Sequence, residues 1–101
     1  MSMQTDILAS QIALTTGLMK NQAGSNIGRA RVKAIYILPT TTIGSVVFKD
    51  GGASGTTKLT LDTPQTDSNG VYMLLPGEGL LFTTNIYVDP TDVTSVMVFY
   101  G

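Results

Sequence analysis

From Arg29 to the end, apolar and polar residues follow one another at strand spacing, broken at short intervals by turn signals. In the segment 29–38 (RARVKAIYIL), Val32, Ala34 and Tyr36 are read on one side, with Arg31 and Lys33 on the other. Pro39 is expected to end it, because proline has no N–H to donate to a ladder. Segment 42–49 (TIGSVVFK) reads as a second strand. A glycine-rich loop over 50–55 follows, able to take positive φ. Segment 56–62 (TTKLTLD) alternates, with Leu59 and Leu61 on one face. The polar run 63–70 ends in Asn69-Gly70, a pair that favours a tight turn. Segment 71–75 (VYMLL) is a short strand stopped by Pro76-Gly77-Glu78-Gly79. Segment 80–88 (LLFTTNIYV) reads as one strand with a bend near Thr84-Asn85, and Asp89-Pro90-Thr91-Asp92 as a turn. Segment 93–100 (VTSVMVFY) is the final strand.

The first 28 residues are open to two readings. Residues 6–14 could form a short helix capped by Thr5 or Asp6, with Gly17 beyond its end. Residues 12–19 could instead be a strand, which Thr15, Thr16 and the glycine-rich stretch 24–28 favour. The section before it reads as an extended arm. The expected organisation is one domain: an arm and first strand or turn over 1–28, and a sandwich core over 29–101. Short antiparallel strands, about six to eight, without the crossover helices of parallel βαβ units, predict an all-β antiparallel sandwich or jelly roll.

A half-exposed strand needs apolar residues on one side only, yet several strands here carry them on both. In the last strand Val96, Val98 and Tyr100 point one way, and Val93, Met97 and Phe99 the other. Ile35 and Ile37 lie opposite Ala34 and Tyr36, and Tyr87 lies opposite Ile86 and Val88. A two-layer sandwich has one inner face per sheet. The surplus is expected under a loop, under the arm or against another subunit. Ile35, Ile37, Tyr87, Val93, Met97 and Phe99 are the candidate contact residues, with Arg29 and Arg31 as a basic edge beside them. For that edge, a solvated strand that discourages edge pairing competes with a salt-bridge patch toward an acidic neighbour.

Composition narrows the chemistry. The 101 residues fit one domain, and the 13% charged fraction is about half the usual share. At 43% apolar the chain is not of disordered type. A net charge of −1 and no basic cluster beyond Arg29, Arg31 and Lys33 argue against nucleic-acid binding. A basic amphipathic helix and a long apolar run are both missing, so no membrane role is expected. The opening residues lack the basic and apolar regions of a secretory signal. There is no Cys and no His. Disulfides, thiolate metal sites and His-based catalysis are therefore closed to this chain. No cofactor is expected.

The remaining candidates are weak. Asp89 and Asp92 flank a proline but lack calcium-loop spacing. Glu78 between two glycines suits a turn better than a general acid. Residues 51–58 (GGASGTTK) lack phosphate-loop spacing and lie between two strands. The four tyrosines could stack on sugars, but packing explains them more simply. An enzyme is not expected.

Several stretches are familiar in texture: 49–57 (KDGGASGTT), 59–64 (LTLDTP), 75–82 (LPGEGLLF), 98–101 (VFYG) and 29–33 (RARVK). Together they resemble small uncharacterised structural proteins of tailed phages, marine and cyanobacterial ones especially, over roughly 29–101. The resemblance implies a virion component working as a symmetric oligomer. Its form would be a capsid decoration (cement) protein that binds itself and other virion proteins such as the major capsid protein. A part of the neck, tail or fibre, or a carbohydrate-binding sandwich using loops 50–55 and 63–70, is the alternative. The resemblance transfers no functional residue.

Overall fold

The computed structural model describes residues 7–63, 70–77 and 79–101. Among these residues nine strands form two antiparallel sheets: β1 (Leu8–Ala9), β2 (Gly17–Leu18), β3 (Ala30–Pro39), β4 (Gly44–Asp50), β5 (Thr56–Thr63), β6 (Val71–Leu74), β7 (Leu80–Phe82), β8 (Tyr87–Thr91) and β9 (Val93–Tyr100). One sheet runs β1-β9-β3-β6, with β7 beside β6 on β3; the other runs β2-β8-β4-β5. The expected all-β sandwich is the fold. Its winding is that of a jelly roll: the chain folds back at β4–β5, and the rungs β3–β6/β7, β2–β8 and β1–β9 follow, alternating between sheets.

Each sheet buries one face. From the first come Val32, Ile35, Ile37, Phe82, Val96, Val98 and Tyr100; from the second come Val46, Phe48 and Val88, with Ile86 beside them. The largest of the fully buried side chains, Phe48 and Phe82, are 1% exposed. Full burial of such a side chain contributes about 1.5–3 kcal/mol. Two buried hydroxyls are satisfied. Ser10 Oγ accepts from the Val98 N–H and donates to the Gln11 carbonyl, both at 2.9 Å. Thr63 Oγ1 accepts from the Gly44 N–H at 3.0 Å.

Three irregularities decide which side chains face inward. Val32 pairs with Tyr100 but Ala34 with Phe99, so Lys33 is an extra residue on β3. Leu38 pairs with Ser95 but Pro39 with Val93, so Thr94 is an extra residue on β9. Lys58 is the corresponding insertion in β5. A bulge shifts the two-residue side-chain period by one. Val32 therefore joins Ile35 and Ile37 inside, rather than Ala34 and Tyr36. Gly79 fits against this bulge at φ 88°, where a Cβ would lie 2.3 Å from the Val32 carbonyl oxygen.

Several boundaries differ from the sequence expectation. Pro39 does end β3, as its last residue on the bulged margin; the differences lie elsewhere in the chain. The segment 80–88 is not one bent strand: β7 belongs to the first sheet and β8 to the second. Asp89-Pro90-Thr91 continues β8, and the turn narrows to Asp92 at φ 54°. The helix considered for residues 6–14 does not form over its described part, which pairs as a strand. From Leu8 onward the expected arm is part of the sandwich. Leu8, Ala9 and Ala13 pair with β9, and Gly17 and Leu18 pair with β8. Met19 and Ile27 are buried in the core. The helix-cap candidates Thr5 and Asp6, the turn residue Glu78 and the loop 64–69 lie outside the described residues.

The crossover from β7 to β8 is fixed by Asp50. Its carboxylate accepts from the Thr83 N–H and hydroxyl and the Thr84 N–H, each at 2.8 Å. Asn85 Oδ1 returns the link by accepting from the Gly51 N–H at 3.1 Å. These donors, the Thr83 amide foremost, hold the Asp50 carboxyl down to about 2, against partial desolvation. A depressed carboxyl stabilises the fold above its unfolded value of 3.8, and that contribution is lost as pH falls through about 2. Asp50→Asn is expected to lower the melting temperature at pH 7 by about 5 °C, the loss of roughly 1 kcal/mol of hydrogen bonding. The gap between variant and wild type should narrow as the pH drops from 3.8 toward 2, as measured by thermal melts across that range.

Candidate interaction face

The two outer faces of the sandwich differ in chemistry. On the β2-β8-β4-β5 sheet the outward rows are Leu18, Tyr87, Lys49 and Thr57; then Asp89, Val47 and Thr60; then Thr91, Ser45 and Asp62. That surface is mixed and largely polar, and the Thr16 hydroxyl donates to Asp89 Oδ1 there at 3.0 Å.

The outer face of the β1-β9-β3-β6 sheet is apolar. Its rows are Ala9, Phe99, Ala34 and Leu74, and then Met97, Tyr36 and Tyr72. Leu38 and Ser95 extend it toward one end. Leu74 is 70% exposed, Tyr72 57% and Tyr36 38%. Met97 and Phe99 are half-buried among them, and Ala34 is buried. Tyr72 meets Phe99 edge to face, with ring centroids 6.4 Å apart at 69°. Ile12 and Leu14, which flank the Ala13 bridge to Val96, are exposed at the β9 margin. Gly70 admits the Tyr36 ring: a Cβ there would lie 2.0 Å from the tyrosine oxygen. No charged residue stands in the central rows. Arg31, paired with Leu81, and Lys33 occupy one end.

The sequence candidates separate accordingly. Met97 and Phe99 lie on this face. Ile35 and Ile37 do not: they are 1% and 2% exposed and belong to the core, because the Lys33 bulge turns them inward. Val93 is also corrected, since the Thr94 bulge pairs it with buried Pro39 and packs it on the core. Tyr87 lies on the polar face of the other sheet, between Leu18 and Lys49. Arg29 is exposed just before β3, and half-buried Arg31 exchanges backbone hydrogen bonds with Gly101. Tyr36, Tyr72 and Leu74 were missing from the candidates. All four residues of β6 are apolar, so alternation there gives no inside or outside. Only the pairing of β6 with β3 assigns Tyr72 and Leu74 outward.

No family model matches the chain, and no curated protein or solved structure matches it either.

Core and face are separable by substitution. Ile35→Ala is expected to cost about 2–5 kcal/mol in denaturant unfolding. Tyr72→Ser, on the exposed face, should stay within about 1 kcal/mol of wild type. Equal losses at the two sites would contradict the assignment of faces.

Proposed function

We propose that this chain is a structural subunit of a tailed-phage virion, a capsid decoration protein that acts by packing against its neighbours. The observation that carries this reading is the contrast between the two outer faces. One sheet turns Tyr36, Tyr72, Leu74, Met97 and Phe99 outward, and the other presents a mixed polar surface. Contiguous apolar surface on a small domain marks a contact site. The resemblance of residues 29–101 to phage structural proteins supplies the setting. The jelly-roll winding agrees with it by analogy only, since viral capsid and lectin domains and cupins all use that architecture. A chain without His or Cys offers little for catalysis and suits a part that works by shape.

A decoration protein binds the assembled shell in preference to free subunits, so mass action stabilises the shell. The apolar sheet supplies the area buried between neighbouring copies of the chain. The carbohydrate-binding alternative draws on the exposure of Tyr36 and Tyr72. A sugar platform needs ring faces presented together, however, and Tyr72 stands edge to face against Phe99 at 69°. Packing is the better account of that face.

Quantitative mass spectrometry of purified particles tests the proposal. The chain is expected at a copy number comparable to that of the shell subunits. A handful of copies would point to the neck, tail or fibre, and absence from the particle would overturn the virion role. Shells stripped of the chain should melt at lower temperature, and adding back wild type but not Leu74→Glu should restore them.

A further inference from the structure

We infer that the outer face of the β1-β9-β3-β6 sheet binds the same face of a second copy, antiparallel, about a two-fold axis near Tyr36. This pairing deepens the packing role proposed above and rests on it.

Three observations choose a second copy as the occupant. The first is area. β3 contributes nine residues from Arg31 to Pro39, β9 eight, β6 four and β1 two, which gives roughly 360 Å² in plan at about 4.8 Å between strands and 3.3 Å per residue. Side-chain relief adds to this, which sets the face toward the small end of specific interfaces, ~600 Å² per partner. The second is neutrality. The central rows carry no charge, and the net charge is −1, so two copies meet without like-charge repulsion. A charged partner would find nothing to pair with in those central rows.

The third is the charge at the two ends. Arg31 and Lys33 stand at the start of β3. At its far end Pro39 pairs with Val93, and the Thr40 hydroxyl donates to the carbonyl of exposed Asp92 at 3.0 Å. An antiparallel copy brings the basic end of each subunit to the Asp92 end of the other. A parallel copy would set like ends together. A two-fold arrangement is closed, so it ends at a dimer rather than a filament. The result is four sheets in a stack, with the two polar faces outermost and free for other contacts.

The test uses the full chain. Sedimentation velocity across the micromolar range is expected to show a concentration-dependent dimer. Leu74→Glu places a carboxylate on the face and should raise the dissociation constant by about thirtyfold or more. Thr60→Glu, on the polar sheet, should leave it unchanged, and thermal melts of both variants should match wild type. Because the chain has no Cys, Tyr36→Cys carries the only thiol. A short bismaleimide should link it into a dimer, and should not link Thr60→Cys. A monomer at several hundred micromolar would overturn the pairing, as would a dimer indifferent to Leu74→Glu or one cross-linked through Thr60→Cys. A chain that is abundant in particles but monomeric when free removes the dimer and leaves the virion role. A dimer that Leu74→Glu breaks, in a chain absent from particles, does the reverse.

Discussion

A strand in a two-layer sandwich has one face to bury, and side chains alternate with a period of two. Which residues reach the core therefore depends on parity, and in this chain parity is reset by single inserted residues. Lys33 shifts β3, so Val32 packs with Ile35 and Ile37. Thr94 shifts β9, so Val93 turns toward the core, away from Met97 and Phe99. Lys58 shifts β5 and brings Leu59 opposite Phe48. Moving any of these insertions would exchange core residues for surface residues along the rest of the strand. The bulged positions are two lysines and a threonine, side chains that reach water readily from an irregular point in a ladder.

The asymmetry between the outer faces follows from that parity. Central strands β9 and β3 are apolar on both sides, and the bulges send Val96, Val98, Ile35 and Ile37 inward. Met97, Phe99, Tyr36 and Ala34 are left outside, and β6 adds Tyr72 and Leu74. The opposite sheet alternates more cleanly, with Val46 and Phe48 inside and Ser45, Val47 and Lys49 outside. A domain of this size has little core to spare. Retaining large apolar side chains on one outer face, where they contribute little to the isolated fold, is the pattern expected when a neighbour buries them.

The ends of the sandwich are tied by polar contacts rather than by more core. Asp50 gathers the amides of the β7–β8 crossover, where the chain passes from one sheet to the other. Ser10 supplies a hydroxyl to the Val98 amide, where the pairing of β1 with β9 becomes irregular. Residues 8–19 touch both sheets in turn, which closes one side of the sandwich with short separate pairings rather than one continuous strand.

Alternation at the start of 29–38 and through 56–62, with turn residues between successive apolar segments, was enough to specify an antiparallel all-β domain, and the last strand begins and ends at its expected bounds. The surplus of apolar residues was equally legible, because it is a matter of composition along each strand. Its location was not. Sequence periodicity cannot register an inserted residue whose neighbours are apolar on both sides, so Ile35, Ile37 and Val93 read as surface and Tyr72 and Leu74 went unassigned. Nor could it show that 80–88 divides between two sheets, since Thr83, Thr84 and Asn85 become a crossover only when Asp50 is brought against them from a distant strand. Local hydrophobic order established the class of fold; cross-strand register, a long-range property, decided which side of it faces outward.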